Sequence, residues 1–97
     1  MTSYNEYLLT TSATPGLATA IDCAVKQGLR AFIFANAGNM AAISIGTTSD
    51  AACFSIGPGA YFEIPGVVNF TAQQGIDVSK WWVKSTAAAQ TFRVLIY

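Results

Sequence analysis

The feature that most constrains the fold of this chain is a series of short runs in which apolar and polar residues alternate, separated by turns rich in glycine, proline and asparagine. Residues 54–65 show the pattern most clearly, as FSIGPGAYFEIP. Alternation with period two predicts strands that are buried on one face, because successive side chains of a strand point to opposite sides. The side chains of this stretch that we predict to face the core are Phe54, Ile56, Phe62 and Ile64.

Gly57-Pro58-Gly59, between these two runs, could either hold a ligand or turn the chain. A phosphate-binding loop needs a helix directly after it, whose first amides face the anion. Here a predicted strand follows, and proline removes one of the amides that such a loop would use. We therefore predict a β-turn in which Pro58 sets φ and a glycine takes a positive φ.

The same alternation recurs through the rest of the chain from residue 18 onward, with a predicted turn at Gln27-Gly28. About seven or eight short strands without a helical period predict an all-β domain, namely a single antiparallel β-sandwich of the jelly-roll or immunoglobulin-like type. The predicted strands are 18–26, 29–37, 40–46, 52–57, 60–65, 67–72, 76–84 and 90–97.

In the first predicted strand, 18–26, alternate residues are apolar. Ile21, Cys23 and Val25 fall on one face, which we predict to be the inward one. A buried cysteine behaves as a small apolar residue. We therefore interpret Cys23 as a buried free thiol in preference to a disulfide partner of Cys53.

The second predicted strand, 29–37, is apolar on both faces. Phe32 and Phe34 share one face, and Ile33 and Ala35 share the other. A strand with apolar residues on both faces is typical of a position that is buried on both sides. We predict this position for 29–37.

Charge is sparse and balanced, with five basic and five acidic residues among 97 and a net charge of zero. Phosphate binding needs several Lys or Arg on one face, so we expect no nucleic acid partner. No apolar stretch approaches the ~18 to 20 residues of a membrane span, and we expect no membrane partner. The first basic residue is Lys26, so we expect no secretion signal. A neutral surface lacks the repulsion that keeps small proteins apart, which favours a role in assembly.

Catalytic residues are not apparent in the sequence. Hydrolysis requires a nucleophile with a base or two carboxylates held close together. The chain contains no histidine, which also makes a zinc site improbable. We expect no enzymatic activity, no bound metal and no cofactor. The acidic residues are scattered singly, as Glu6, Asp22, Asp50, Glu63 and Asp77.

The aromatic residues are more informative about function. Trp81 and Trp82 are adjacent in a predicted strand and must therefore point to opposite faces. Both could pack in the core, or the outward one could join Tyr61 or Tyr97 in a protein interface or a platform for sugar rings. The sequence leaves these three alternatives open.

Residues 1–17 precede the alternating region and are predicted to form an extended N-terminal arm, with the β-sandwich domain spanning 18–97. The arm could be a disordered tail, but its apolar residues favour docking on a neighbouring subunit. Together with the exposed aromatic candidates, these residues make up the predicted interaction set. Its members are Tyr4, Tyr7, Leu8, Leu9, Tyr61, Trp81 and Tyr97.

Over residues 31–97 the chain resembles the small β-sandwich accessory proteins of tailed bacteriophage virions. The resemblance is carried by ISIG and FSIGPG, by the aromatic strand FEIP, by WVK followed by Ser, Thr and Ala, and by the terminal QTFRVL. It implies a structural protein that decorates or cements a phage capsid by bridging neighbouring subunits, without catalysis. The implied partners are the major capsid protein or other virion proteins.

The resemblance further implies a protein made in the host cytoplasm and located on the virion, with the capsid exterior favoured. A homo-oligomer is expected, and a trimer at a threefold site would be a natural form. The alternative function is a carbohydrate-binding or receptor-binding module of a phage fibre or tail, suggested by the exposed aromatic candidates.

Overall fold

A computed structural model describes residues 5–51, 54–64 and 76–97 of the chain. These residues form ten β-strands and one short 3₁₀ helix. The strands are β1 (Asn5–Thr10), β2 (Thr19–Ala20), β3 (Gln27–Gly28), β4 (Ala31–Ala35), β5 (Ile43–Gly46), β6 (Phe54–Ile56), β7 (Tyr61–Glu63), β8 (Ile76–Asp77), β9 (Trp82–Ser85) and β10 (Thr91–Ile96), and the helix is Val78–Lys80. The predicted strand 67–72 lies outside the described residues.

The strands are arranged in antiparallel sheets, which confirms the all-β class predicted from the alternation. Sheet A has the order β1-β10-β4-β7, and sheet B has the order β2-β9-β5-β6. Strands β3 and β8 form a separate two-stranded sheet. Every strand pair is antiparallel.

One hydrophobic cluster receives side chains from both four-stranded sheets. Sheet A contributes Ile33 and Val94, and sheet B contributes Ile43 and Ile45, all of them completely buried. Branched aliphatic residues suit a pleated surface and pack well in such a layer. The rest of the buried apolar cluster consists of Ile21, Cys23, Ala31, Ala35, Ile56, Ile64, Ile76, Val78, Trp81, Val83, Phe92 and Ile96.

Residues 5–10, which fall within the predicted arm 1–17, form strand β1 at one edge of sheet A. All six residues pair with β10, from Asn5 opposite Ile96 to Thr10 opposite Thr91. This part of the segment therefore belongs to the sheet, because its alternating residues continue the two faces of β10. Thr11 prolongs the pairing through its backbone N–H, which donates to Gln90 O at 2.8 Å.

The segment 18–26 keeps the predicted alternation but is a strand only at β2. Ile21 and Cys23 are buried while Asp22 is exposed, as expected. The ladder ends after the Ile21 N–H donates to Trp81 O at 2.9 Å. Beyond it, Lys26 Nζ donates to Cys23 O at 2.6 Å. This carbonyl is therefore bonded by a side chain and not by the backbone of a neighbouring strand.

The predicted turn at Gln27-Gly28 is strand β3, paired with Ile76 and Asp77 of β8. A Cβ on Gly28 would lie 2.5 Å from Ile96 Cγ2, so this glycine allows the backbone to pass close to the end of β10. The predicted turn is therefore wrong. Gly28 lies in a strand, where the absence of a side chain permits the close approach to β10.

Strand β4 is buried on one side only, which corrects the prediction that both of its faces are covered. Ala31, Ile33 and Ala35 are buried. Phe32 is half-buried and Phe34 is exposed. The period-two alternation is confirmed, but within the described residues nothing covers the phenylalanine face fully.

The ISIG and FSI runs form the β5–β6 pair, with Ile43 opposite Ile56 and Ser44 opposite Ser55. After β6, the Ala60 N–H donates to Gly57 O at 3.0 Å, and Gly59 has a φ of +79°. This confirms the predicted β-turn with a glycine at positive φ.

The Gly57-Pro58-Gly59 turn carries the chain from sheet B to sheet A, because β6 pairs with β5 and β7 pairs with β4. Ile56 and Ile64 are buried as predicted, and Phe62 is half-buried against the core. Phe54 was predicted to be inward but is 45% exposed. Its ring contacts Phe62 at 4.7 Å between centroids, so it covers the border of the core.

Candidate interaction surface

The outer face of sheet A carries most of the exposed aromatic side chains among the described residues. The register aligns Leu8, Arg93, Phe34 and Tyr61 in one row across the four strands. The next row on the same face contains Glu6, Leu95, Phe32 and Glu63. We call the four aromatic residues of this side the aromatic face, and they are Phe32, Phe34, Tyr61 and Tyr97.

The rings of the aromatic face contact one another. Phe34 and Tyr61 lie side by side on β4 and β7, with centroids 5.6 Å apart. Phe32 lies 6.2 Å from Phe34 and meets Tyr97 edge to face at 5.9 Å. Tyr61 is 66% exposed, Tyr97 43% and Phe34 37%. A contiguous apolar patch of this kind is typical of a site that another molecule covers.

Two ion pairs neutralise the charges on this side of the sheet. The Arg30 guanidinium bonds Glu63 through Nε at 3.0 Å and Nη2 at 3.2 Å. Arg93 Nη1 lies 3.6 Å from Glu6 Oε1. Each basic group near the aromatic face therefore has an acidic partner within the same chain.

Arg30 also covers part of the aromatic face, since its Cζ lies 5.1 Å from the centre of the Phe32 ring. This distance is within the range of a cation–π contact. Hydrogen bonding to Arg30 holds the pKa of the Glu63 carboxyl below its ordinary value. The same bond raises the pKa of the Arg30 guanidinium, so the pair stays ionised near neutral pH.

A cavity of about 240 Å³ lies beside the row of Leu8, Phe34 and Arg93, and Thr91 also lines it. Its volume is below the ~300 to 1,000 Å³ of most small-molecule sites. The cavity continues the aromatic face toward β1. We therefore interpret it as part of a broad surface and not as a separate small-molecule pocket.

The outer face of sheet B is different in character. Ser44 and Ser55 lie opposite each other on β5 and β6, and Lys84 lies opposite Ser44 on β9. These small polar residues and a lysine are typical of a solvated sheet face. Trp82 is the large apolar residue there, half-buried and opposite Gly46. The contrast identifies the outer face of sheet A as the stronger candidate for a contact.

The described members of the predicted interaction set fall into two environments. Tyr61, Tyr97 and Leu8 point outward from sheet A and are exposed. Tyr7 and Leu9 point inward from β1 and pack against the core. The Tyr7 hydroxyl accepts a hydrogen bond from the Val25 N–H at 3.1 Å. The position predicted for Tyr4 lies outside the described residues.

Trp81 belongs to the predicted interaction set, although the sequence left open which tryptophan faces outward, and the structure corrects its inclusion. It is only 9% exposed and belongs to the core cluster. Its ring lies 6.1 Å from that of Phe62. Trp81 follows the 3₁₀ helix Val78–Lys80 as its C-cap, with an extended backbone, so the chain enters β9 with Trp81 inward and Trp82 on the other side.

Phe32 and Phe34 were not predicted to be surface residues. Their alternation with Ile33 was visible, but an apolar strand face gives no sign of being uncovered. The signal that could have found them is the charge pattern of the neighbouring strands. Arg93 alternates with apolar residues in β10, and Glu63 flanks Phe62 in β7, so the side shared by these charges borders solvent.

Other site chemistry is limited in the described residues. Cys23 is free and buried, as predicted, and its thiol donates to Val25 O at 3.1 Å. Burial raises the pKa of this thiol, which disfavours the reactive thiolate. Residues 5–51, 54–64 and 76–97 contain no cluster of His, Cys, Asp or Glu suited to a metal. Cys53 lies outside these ranges.

In the same ranges, no helix has the length and apolarity that crossing a membrane requires. Comparison of the chain with protein-family models, with curated proteins and with solved structures gives no match. The fold and the surface therefore define the class of this protein by themselves. It is an all-β protein of antiparallel sheets with one aromatic sheet face.

Proposed function

We propose that this protein is a structural component of a phage virion, bound on the capsid exterior, which decorates or cements neighbouring capsid subunits through its aromatic face. In this proposal the two four-stranded sheets constitute one β-sandwich. The major capsid protein is the principal partner. The sandwich acts as a rigid, noncatalytic body whose only activity is to bind.

The single observation that carries the proposal is the composition of β4, AFIFA, at the centre of sheet A. A strand that is apolar on both faces is usually covered on both faces. The core covers Ile33, but Phe34 on the other face is 37% exposed. A partner protein would supply the missing cover, and the aromatic area would leave water on binding.

The charges around the aromatic face fit a protein partner better than a nucleic acid. Interface centres are enriched in aromatic residues and Arg and depleted of unpaired charge. Arg30 and Arg93 lie on this side and are both neutralised by carboxylates. The phage assignment itself rests on the resemblance of residues 31–97 to virion accessory proteins.

Cementing requires that one molecule hold two capsid subunits at once. Linked contacts raise the effective affinity because both must break before the subunits separate. A protein with few charges and a net charge of zero would meet little repulsion on a crowded capsid surface. These properties support a role in packing rather than in transient recognition.

The test begins with virus particles purified from the source that encodes the chain. Quantitative mass spectrometry and cryo-electron microscopy should find the protein on the capsid exterior, in a copy number set by capsid symmetry. Particles depleted of it should then rebind the wild-type protein. Its absence from the particles, or its presence at the tail tip alone, would contradict the proposal.

A pair of variants assigns the binding to the aromatic face. The double variant Phe34→Ser, Tyr61→Ser should remain folded and rebind depleted capsids at least about tenfold more weakly, because truncating a hot-spot residue of an interface costs about 2 kcal/mol or more. Met40→Ser is the matched control, since Met40 is an exposed apolar residue in the loop after β4. Equal capsid binding by the double variant and the control would contradict the assignment.

The second candidate is a carbohydrate-binding or receptor-binding module of a fibre or tail. It is favoured by the exposed phenol rings of Tyr61 and Tyr97, which could stack on sugar rings. Glycan titrations followed by NMR should then shift the Tyr61 and Tyr97 ring signals. A glycan-dependent shift that Tyr61→Ser abolishes, combined with no binding to capsids, would favour this candidate over the capsid protein.

A further inference from the structure

Strand β1 ends sheet A with an edge that the described residues leave unpaired. It is the outermost strand of the order β1-β10-β4-β7. A free edge presents backbone N–H and C=O groups that can pair with another strand. Natural proteins usually protect such edges with charged side chains, especially Lys, with Pro or with a bulge. The only charge in NEYLLT is Glu6, which is ion-paired with Arg93, and the strand contains no Lys or Pro and pairs with β10 without interruption.

The hydrogen-bond pattern between β1 and β10 shows which backbone groups of β1 point toward the free edge. Thr11 N–H donates to Gln90 O, which marks Thr11 and Gln90 as a hydrogen-bonded position of the ladder, although the Gln90 N–H returns a bond to Thr11 Oγ1 and not to the Thr11 carbonyl. In an antiparallel ladder bonded and non-bonded pairs alternate. Glu6, Leu8 and Thr10 therefore direct their N–H and C=O groups away from β10. Within 5–51, 54–64 and 76–97 no backbone or side-chain group bonds to them.

The surroundings of the edge are apolar and accessible. A groove of about 430 Å³ runs between β1 and β2, lined by Leu8, Leu9, Ile21 and Val83 among others. Leu8 is 64% exposed on the outer face. A strand laid along β1 would cover Leu8 on the outside and the groove on the inside.

We propose that β1 pairs antiparallel with β1 of a second copy of this chain, forming a dimer about a twofold axis. In the register with Leu8 opposite Leu8 of the second copy, Glu6 lies opposite Thr10 in both directions. All three edge residues of each copy then exchange both of their backbone hydrogen bonds. Shifting the register by two residues leaves one of the three without a partner in β1.

This register and this occupant bring no like charges directly opposite each other. Each Glu6 faces an uncharged Thr10 and keeps its ion pair with Arg93 at 3.6 Å. The two Glu6 residues lie four positions apart along the strands, or about 13 Å, beyond the ~8 Å screening length at physiological salt. The chain has no net charge, so two copies meet without long-range repulsion.

Pairing of this kind would join two four-stranded sheets into one continuous sheet, because the twofold axis is perpendicular to it. Both aromatic faces would then lie on the same side. A trimer was the form favoured from the sequence, whereas the β1 edge leads to a dimer. The contact does not depend on a capsid partner, and it is measurable on the purified protein alone.

Sedimentation over a concentration series tests the proposal. Wild-type protein should show a monomer–dimer equilibrium. Leu8→Lys should raise the dimer dissociation constant at least about tenfold, because like charges would stand directly opposite each other and the apolar contact would be lost. Leu29→Lys is the matched control, since Leu29 is 70% exposed and belongs neither to β1 nor to the lining of the groove beside it. Circular dichroism verifies that both variants fold.

A second measurement on the wild-type chain needs no substitution. In a sample that mixes differently labelled copies, an interchain NOE is expected between the Hα of Tyr7 and the Hα of Leu9, which form a closely spaced non-hydrogen-bonded pair across the twofold axis. Within one strand these residues are about 6.8 Å apart along the axis. A wild-type monomer at its highest soluble concentration, a trimer, a dimer unaffected by Leu8→Lys, or a dimer without this NOE would each overturn the proposal.

Discussion

Arg30 and Glu63 form a two-point ion pair at the corner of the aromatic face, with Nε–Oε2 at 3.0 Å and Nη2–Oε1 at 3.2 Å. Paired N–H groups and a carboxylate fix both the distance and the angle between side chains. The guanidinium also lies over Phe32 at 5.1 Å. The pair therefore links the start of β4 to β7 and fixes one border of the proposed binding surface.

The ion pair predicts an acid-dependent loss of stability. The bond from Arg30 lowers the pKa of the folded Glu63 carboxyl, so the folded state binds a proton less readily than the unfolded state. The ion pair therefore adds to the free energy of unfolding at pH values above the ordinary carboxyl pKa of about 4.3. This stabilisation disappears as the pH falls through the lower pKa that Glu63 has in the folded state. The urea midpoint of the wild type should therefore fall more steeply below pH ~5 than that of Glu63→Gln. Glu6→Gln serves as the control, because Glu6 has one longer contact, at 3.6 Å, and a larger effect there would contradict the prediction.

Much of the core could be predicted from the alternation alone. Ile43 and Ile45 in β5 and Ile56 in β6 are buried as expected. In these strands one face is apolar and the other is polar. The phase of the alternation then determines which side chains are buried, since a register shift of one residue would bury serine.

The candidate surface could not be predicted in the same way. In β4 both faces are apolar, so the period separates Phe32 and Phe34 from Ile33 without indicating which side meets the core. The adjacent tryptophans raise the same difficulty. Trp81 is inward because the preceding 3₁₀ helix sets the phase and Phe62 packs against its ring. The orientations of the phenylalanines and of Trp81 both depend on tertiary contacts, which the two-residue alternation in the sequence does not specify.

The short strands β2 and β3 also could not be predicted from their own residues. A two-residue strand is defined by its partner and not by its own propensity. Thr19 and Ala20 are in a strand because Val83 and Trp82 lie beside them. Gln27 and Gly28 resemble a turn by composition, yet β8 pairs with them.

The buried isoleucines predict a large effect of truncation. Ile45→Ala should lower the free energy of unfolding by about 2–5 kcal/mol, because the side chain is completely buried and its removal leaves a cavity. Leu29→Ala, at an exposed position, should change it by less than about 0.5 kcal/mol. Urea denaturation followed by tryptophan fluorescence measures both. Similar losses for the two variants would contradict the burial of Ile45.

The cap of the 3₁₀ helix predicts a smaller effect. Asp77 Oδ1 accepts hydrogen bonds from the Ser79 N–H at 2.9 Å and the Ser79 hydroxyl at 2.5 Å. Asp77→Ala removes both and should lower the free energy of unfolding by about 1 kcal/mol. Asp77→Asn keeps an acceptor oxygen and should retain most of the stability. Thermal unfolding of the two variants in parallel is the measurement. An equal loss of stability in both would mean that the acceptor oxygen of residue 77 does not stabilise the 3₁₀ helix.

The turn between β6 and β7 predicts opposite outcomes for two nearby glycines. Gly59 has a φ of +79°, and a Cβ there would have room, with Ala37 Cβ at 3.6 Å. Gly59→Ala should therefore lower the free energy of unfolding by about 1–2 kcal/mol through backbone strain alone. Gly57 has no positive φ, and a Cβ added to it would meet no atom within 4 Å beyond its chain neighbours. Gly57→Ala should be neutral or slightly stabilising, because alanine restricts the unfolded chain. Urea denaturation of both variants measures the difference, and a loss in Gly57→Ala as large as that in Gly59→Ala would contradict the assignment of the strain to Gly59.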